Sequence, residues 1–224
     1  MRKMLTFMFL FALPLYADPK EEIKSHVANV ILPLCDGWCT PKKAAAFMDL
    51  VFEVKPDVCV EIGVFGGASY LSVASALKFL GKGVIIGIDP WWNNESVKYY
   101  DPVKDHKHIL WWSTLDFTDL HRTFMRTMRD QNLNEQCILI MTTSEKAAPF
   151  ISREIDILYI DGHFATEASV LDVQLYLPKV RQEGYIWFNS FYSPSKQPAI
   201  DLLLDTCDLV RVIDNGNCAL FQKR

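Results

Sequence analysis

Short apolar runs alternate with amphipathic segments along most of the chain, a pattern typical of alternating strands and helices. We predict strands at residues 58–64, 84–88, 137–141, 155–160, 185–188, 210–213 and 219–222. We predict helices at residues 18–32, 42–54, 70–80, 116–130, 144–151, 167–177 and 197–204. Asn215-Gly216, between the last two strands, is a strong hairpin signal. The pattern predicts an α/β fold, a Rossmann-like doubly wound sheet of seven strands that is mostly parallel and ends in an antiparallel hairpin.

The first seventeen residues have the pattern of a secretory signal peptide. A short cationic start precedes an apolar run at residues 4–15, and Ala17 supplies a small residue for cleavage. The apolar run is shorter than the roughly 20 residues that a membrane-spanning helix needs. An uncleaved anchor and a buried first helix are the alternatives. We therefore predict a signal peptide at residues 1–17 and a single domain, beginning with helices, at residues 18–224.

The composition excludes several classes of protein. The chain has 224 residues, of which 50% are hydrophobic and 22% charged, as in an ordinary globular protein. Its 23 basic and 27 acidic residues give a net charge of -4. Cleavage of the leader would remove Arg2 and Lys3, leaving 21 basic against 27 acidic residues and a charge of -6. Because no global positive field exists, we expect no nucleic-acid partner, and membrane contact only through an uncleaved leader.

Six cysteines would lie in an exported chain, where disulfides are permissible. Cys35 and Cys39 could close a small loop, whereas Cys59 and Cys137 lie in apolar strand-like runs and are interpreted as core residues. A zinc site is disfavoured, because no second closely spaced Cys or His pair accompanies the first.

The strand ends carry the candidate chemistry, because open α/β sheets bind ligands beyond the carboxyl ends of their strands. Glu61 lies in the first strand, and a glycine-rich turn follows at residues 63–69. Phe65 and Ala68 occupy two positions where the dinucleotide fingerprint needs glycine, which disfavours a nicotinamide cofactor. S-adenosylmethionine is the alternative cofactor for such a turn. Asp89, at the end of the second strand, is placed to accept from its ribose hydroxyls, or else to cap a helix.

Several motifs in order carry a family resemblance. They are Glu61-x-Gly63-x-x-x-Gly67-x-Ser69, Gly87-Ile88-Asp89-Pro90-Trp91 and Tyr159-Ile160-Asp161-Gly162, followed by Glu167, Asp172, Leu177-Pro178 and Gly184-Tyr185-Ile186. With them the chain, from residue 42 to its C-terminus, resembles the class I S-adenosylmethionine-dependent methyltransferases. Within that group it is similar to the small-molecule O-methyltransferase branch that carries Asp-Gly after the fourth strand.

The resemblance implies S-adenosylmethionine as cofactor and a binding role for eight residues. It places Glu61, Gly63 and Gly67 at the methionine part, with Ser69 completing their motif, Asp89 at the ribose hydroxyls, and Trp91, Thr143 and Ser144 at the adenine. For Trp91, core packing is the alternative interpretation.

Asp161-Gly162-His163 ends the fourth strand, over which the resemblance places the methyl group. Asp161 could orient an acceptor hydroxyl or coordinate a divalent cation. His163 could remove the acceptor proton, because the ordinary pKa of histidine, about 6.5, lies near working pH. The alternative for His163 is a solvated loop residue.

Asp161 and Asn189 are the candidate metal ligands. The resemblance leads us to expect an acidic pair after the fifth strand and a His or acidic residue after Asp-Gly-x in metal-dependent relatives. This chain has Asn189-Ser190 and Phe164 there instead. The loss of charge should weaken the binding of hard cations such as Mg²⁺.

Residues 91–114 form an insert with two Trp-Trp pairs, which suits a cap over the cofactor or an acceptor ring. Core packing remains the interpretation for at least one pair. His106 and His108 do not share a helix face and are not predicted to be ligands.

The sequence thus predicts an S-adenosylmethionine-dependent methyltransferase that modifies an oxygen of a small-molecule or sugar-type acceptor. The alternative is an exported, catalytically inactive binding or interaction module with this fold. We expect export to a periplasm or beyond, with a cytosolic or membrane-tethered protein as the alternative, because S-adenosylmethionine is made in the cytosol. The acceptor and the oligomeric state stay open.

Overall fold

A computed structural model describes residues 18–224, so the predicted leader lies outside the described residues. The strands are β1 (Val58–Ile62), β2 (Val84–Ile88), β3 (Cys137–Ile140), β4 (Ile155–Ile160), β5 (Val180–Asn189), β6 (Cys207–Ile213) and β7 (Cys218–Lys223). The α-helices are α1 (Pro19–His26), α2 (Pro41–Val54), α3 (Ala68–Leu80), α4 (Asn93–Val97), α5 (His106–Thr114), α6 (Phe117–Asp130), α7 (Ser144–Ala147), α8 (Thr166–Tyr176) and α9 (Gln197–Thr206). A π-helical turn continues α1 over Val27–Ile31.

One seven-stranded sheet has the strand order β3-β2-β1-β4-β5-β7-β6. The pairs from β3 to β5 are parallel, and β7 runs antiparallel to both β5 and β6. The predicted fold class is therefore confirmed, including the C-terminal hairpin at Asn215-Gly216. The strand order reverses between β1 and β4, and the carboxyl ends of these two strands border a crevice where ligands of such sheets bind.

Two apolar cores lie on the two faces of the sheet. Helices α2, α3 and α6 cover one face with side chains such as Phe47, Tyr70 and Phe124. Helices α8 and α9 cover the other face, where Tyr176 and Leu203 are fully buried. Among residues 18–224, no helix is both long and apolar enough to cross a membrane.

The start of α2 shows how local sequence fixes an element that borders the site. Thr40 accepts a hydrogen bond from the Lys43 amide at 3.2 Å, and Pro41 occupies the first helical turn. The preceding segment, residues 35–39, lies against the glycine-rich turn after β1. The two segments are so close that a Cβ on Gly66 would collide with the backbone oxygen of Asp36.

The largest differences from the sequence prediction lie in the fifth strand and in the insert. The fifth strand begins at Val180, five residues earlier than predicted, because its polar residues 181–183 interrupt the apolar pattern but still belong to the strand. A register shift against β4 accommodates this polar stretch. The insert, for which we predicted no elements, contains α4 and α5. Helix α5 has no fully buried residue, and its apolar residues 109–112 are consecutive, so no helical spacing of apolar positions reveals it in the sequence.

Candidate active site

An inner cavity lies at the carboxyl ends of β1, β2 and β4 and brings together most of the predicted site residues. Its lining includes Gly63, Ser69, Asp89, Thr143, Ser144, Asp161 and His163. Glu61, Gly67, Trp91 and Asn189 are predicted site residues that lie behind this lining. The cavity measures about 180 Å³.

The glycines of the turn are required by the chain's own packing. Gly63 has φ +87°, and a Cβ there would collide with the backbone of Asp161. Gly67 has φ +84°, and a Cβ there would collide with the ring of Phe124. Both conformations favour glycine. The turn therefore brings the ends of β1 and β4 into direct contact, which narrows the cavity between them.

Glu61 is buried beneath this turn. Its Oε1 atom accepts a hydrogen bond from the Ser69 hydroxyl at 2.5 Å, and its Oε2 atom is buried without a hydrogen-bond partner. Burial raises the pKa of the Glu61 carboxyl well above its usual range. An unpartnered buried acceptor is costly, so a donor supplied by a ligand or a water would stabilise this site.

Asp89 holds the turn and the insert together. Its two carboxylate oxygens accept from the Phe65 amide at 2.9 Å and from the Trp91 amide at 2.7 Å. Burial raises the pKa of Asp89, and these backbone hydrogen bonds oppose the rise. Trp91 packs behind the cavity, with its indole N–H donating to the Phe65 carbonyl at 2.8 Å and its ring stacked on Phe124.

Thr143 and Ser144, at the end of β3, form the opposite wall of the cavity. The Ser144 hydroxyl donates to Asp172 at 2.5 Å, and the Ser144 carbonyl accepts from the Tyr176 hydroxyl at 2.7 Å. Burial raises the pKa of Asp172 to about 6. Helix α8 therefore fixes this wall through side chains of both its second and its last turn.

His163 connects the loop after β4 to the insert. Its Nδ1 atom accepts from the Ala165 amide at 2.9 Å, so the proton resides on Nε2, which donates to the Ser96 carbonyl at 3.0 Å. Burial lowers the pKa of His163 to about 4. Tyr99 and Tyr100 of the insert pack against its ring. In this arrangement the neutral imidazole has no free nitrogen, and it can accept a proton only if one of these contacts opens.

Asp161 and Asn189, the two candidate metal ligands, lie next to each other. Asp161 accepts from the Tyr159 hydroxyl at 2.6 Å and from the Asn189 amide, and Asn189 accepts from the Lys43 ammonium at 2.6 Å. Burial raises the pKa of Asp161, whereas the nearby charge of Lys43 opposes the rise. Within residues 18–224, no three His, Cys, Asp or Glu side chains come together in a way that could hold a metal ion.

A second, outer cleft of about 590 Å³ adjoins the inner cavity. The residues that line both are aromatic: Trp38, Tyr99, Tyr100, Trp112 and Phe164. The cleft is closed further by Trp111 and His108 of the insert and by Glu167 at the start of α8. Four chain segments therefore meet around it, namely the loop before α2, the insert, the loop after β4, and the loop after β5 with Ser193 and Ser195.

Sequence reasoning missed three contributors to this site. The segment 36–39 lines the cavity, and its Trp38 ring stacks on Phe65 at a centroid distance of 5.2 Å. Lys43 and Lys196 are 1% and 3% exposed, although lysine is rarely buried. Spacing could have revealed Lys43, because it shares a helix face with the apolar residues Phe47 and Leu50.

The cysteines contribute no cross-link. All six are free thiols, including Cys35 and Cys39, so the small loop that their spacing would allow is not closed by a bond. Burial raises the pKa of Cys35 to about 12, which makes this thiol unreactive.

Comparison with solved structures shows the same fold at low sequence identity. The O-methyltransferase NovP aligns with a TM-score of 0.70 and 16% identity, over 91% of this chain and 97% of that one. An O-methyltransferase from Bacillus cereus in complex with SAH aligns with a TM-score of 0.59 and 15% identity, over 95% and 94% of the two chains. The SAH-bound Podospora anserina methyltransferase PaMTH1 aligns with a TM-score of 0.61 and 11% identity, over 93% of this chain and 89% of that one. A search of curated protein sequences finds no significant match.

The sequence itself also matches a family. The model of a methyltransferase domain matches residues 60–191, which is more than half of the chain. The match runs from within β1 to just past β5 and includes the glycine-rich turn, the insert and the loop after β4. By this match and by its class I fold, the chain belongs to the methyltransferase-domain family.

Proposed function

We propose that the protein transfers the methyl group of S-adenosylmethionine to an oxygen atom of a small-molecule acceptor. The observation that carries this proposal is the junction of two cavities. The inner one contains the buried Asp89 carboxylate and the glycine-rich turn, and it adjoins an outer cleft lined by aromatic rings. Such a pair of cavities suits a polar donor and a flat acceptor that must meet at one point.

The residues of the inner cavity fit the cofactor. Asp89 retains acceptor capacity toward a ribose diol, because each carboxylate oxygen accepts one backbone N–H and carries a second lone pair. The unpartnered Glu61 Oε2, behind Ser69, suits the ammonium group of the methionine part. When bound, S-adenosylmethionine supplies a methyl group already activated by its sulfonium, so the protein's task is mainly to position the acceptor.

We expect the insert to move when this cofactor binds. The inner cavity, at about 180 Å³, is below the range of roughly 300 to 1,000 Å³ that is usual for small-molecule sites. Tyr99, Tyr100 and Trp112 of the insert narrow it. We therefore expect the closed insert to open for the cofactor, and His163 to lose its contact with Ser96 as it does so.

The acceptor is proposed to lie in the outer cleft, with its oxygen directed toward Asp161. The aromatic lining favours an acceptor with a flat face, either a ring or the apolar face of a sugar. Asp161, which lines the inner cavity, would orient the acceptor hydroxyl. His163, once released from Ser96, would take its proton.

Calorimetric titration of the full chain with S-adenosylmethionine and S-adenosylhomocysteine tests the proposal. We expect both to bind in the micromolar range, and label from S-adenosylmethionine carrying a radioactive methyl group to appear on a phenol or sugar from an acceptor panel. Absence of binding at millimolar donor would overturn the proposal and favour an inactive module. Donor binding without label transfer across the panel would restrict the protein to cofactor binding.

We also propose that residues 1–17 direct export, which would leave the mature domain at residues 18–224. A C-terminal tag and N-terminal sequencing of the mature protein test this. A chain beginning at Asp18 in a periplasmic or secreted fraction is the expected result. Full-length protein in the cytosol would overturn it and would place the protein where its donor is made.

A further inference from the structure

Lys43 lies in the first turn of α2 and is buried to 1% exposure, although it belongs to neither the inner cavity nor the outer cleft. Its ammonium donates to the Asn189 side-chain oxygen at 2.6 Å. The rings of Phe47 and Tyr159 lie 5.9 and 5.5 Å from the same nitrogen. Burial of an ammonium without acceptors raises the free energy of the folded state. The location of this group at the end of β5 therefore indicates a specific role.

The hydrogen bonds of this group have one possible direction. An ammonium only donates, so it must face the oxygen of the Asn189 amide, and the amide nitrogen then faces Asp161. An ionised carboxylate only accepts, and Asp161 takes both this N–H and the Tyr159 hydroxyl. The chain of contacts therefore runs from a positive charge on α2, through a neutral amide on β5, to a negative charge on the cavity wall.

This arrangement does not fit a divalent cation at Asp161 and Asn189. The side-chain oxygen of Asn189, the one atom it could offer to a metal, already accepts from Lys43. A second ammonium, that of Lys196, lies on the opposite face of the sheet, and its positive charge also opposes the rise in the pKa of Asp161. This ammonium donates to the His163 carbonyl at 2.7 Å. A divalent ion would add two positive charges beside a buried carboxylate that already lies in the field of two lysine ammonium groups.

We propose that the Lys43 ammonium takes the structural place of a divalent cation, holding Asn189 and Asp161 in position on the cavity wall so that acceptor binding needs no metal. The inference rests on the methyltransferase function proposed above. Lys43 is a positioning residue, because it acts on the cavity through Asn189 and Asp161 and touches neither cavity itself.

Binding of Mn²⁺, followed by its electron paramagnetic resonance signal, tests this proposal on the full chain. We expect no Mn²⁺ binding to the wild type at 1 mM and no change in S-adenosylhomocysteine affinity on adding EDTA. The variant Asn189→Asp alone should also fail to bind, because Lys43 remains. The double variant Lys43→Met/Asn189→Asp removes the charge and supplies a second carboxylate, and it should bind Mn²⁺ at least tenfold more tightly than either.

Wild-type binding as tight as that of the double variant would overturn the proposal, and so would tight binding to Asn189→Asp. Thermal unfolding shows whether the double variant folds. If it does not, the comparison of wild type with Asn189→Asp still decides, since both retain Lys43. Failure of the proposed function would instead show as absent S-adenosylhomocysteine binding in the wild type, a separate measurement.

Discussion

The two halves of the site are built on different physical principles. The inner half rests on buried carboxylates whose positions are fixed by hydrogen bonds, with Asp89 held by two backbone amides and Glu61 by the Ser69 hydroxyl. The outer half rests on aromatic rings, several of them well exposed, such as Trp38 at 57% and Trp111 at 42%. The carboxylates of the inner half are therefore held in fixed directions by hydrogen bonds, whereas we expect the rings of the outer half to shift and so to fit several flat ligands.

Among substitutions in the two halves, we expect the largest loss of cofactor affinity from a change at Asp89. Asp89→Ala should weaken S-adenosylhomocysteine binding about 100-fold, because it removes a charged hydrogen-bond acceptor worth roughly 1.5 to 3 kcal/mol and also loosens Phe65 and Trp91. Calorimetry at fixed pH and salt measures the change.

Asp156 supplies a matched control for that variant. Its Oδ2 atom also accepts from two backbone amides, those of Asp57 and Val58 at 2.9 Å each, but at the opposite end of the sheet. Asp156→Ala should lower stability with little change in cofactor affinity. Equal loss of affinity in both variants would show that Asp89 acts through folding alone and would break the distinction between the two halves.

A smaller effect is expected in the aromatic half. Trp38→Ala removes a ring that stacks on Phe65 and borders both cavities. It should weaken cofactor binding about fivefold, while the free energy of unfolding changes by less than about 1 kcal/mol because the side chain is half exposed. Phe150→Ala, at a site 74% exposed and outside both cavities, is the control and should change neither quantity. A 100-fold loss for Trp38→Ala would mean that the outer half is as specific as the inner one.

The smallest expected effect is on the pH dependence of stability, and it concerns His163, which links the two halves. The pKa of His163 is lowered to about 4 in the folded protein. Between pH 6.5 and about 4, the unfolded chain therefore binds a proton at this residue that the folded chain does not bind. The contribution of His163 to the free energy of unfolding should therefore fall by about 1 to 2 kcal/mol, after solvent screening, as pH falls from 6.5 to about 4. Asp172, with its pKa raised to about 6, acts in the opposite direction over the same range.

The variant His163→Gln isolates this contribution from that of Asp172. Chemical unfolding of both proteins between pH 7 and 4.5 should show the advantage of the wild type shrinking toward acid pH. Hydrogen exchange of residues 93–114 should be faster in the variant, because the contact with Ser96 is lost. A difference in stability that is constant with pH would contradict the role of His163 as a neutral link between the halves.

The inner half was predictable from sequence, because its chemistry lies at strand ends. Apolar runs reveal β1 and β2, and the residues that follow them, such as Gly63 and Asp89, meet at one sheet edge by topology alone. The reason for the glycines was not predictable in the same way, since Gly67 makes room for Phe124, a side chain 57 positions away.

The outer half was predictable only in part: the Trp-Trp pairs of the insert indicated a cap, and Trp111 and Trp112 line the cleft, but the loop before α2 has no periodic pattern that would place it there. Trp38 precedes α2 by a few residues, and nothing local indicates that it stacks on Phe65. Outside both cavities, Lys43 shares a helix face with Phe47 and Leu50, so its burial could be inferred from spacing, but its partner Asn189 lies 146 residues away along the chain. Such pairings follow from the strand order and not from local sequence.

A crystal structure of the full chain with S-adenosylhomocysteine tests the central claim most directly. The proposed function predicts the ligand in the inner cavity, with its ribose hydroxyls within hydrogen-bond distance of Asp89 and the insert displaced from His163. Electron density for the ligand elsewhere, or an inner cavity that stays closed at saturating ligand, would contradict it.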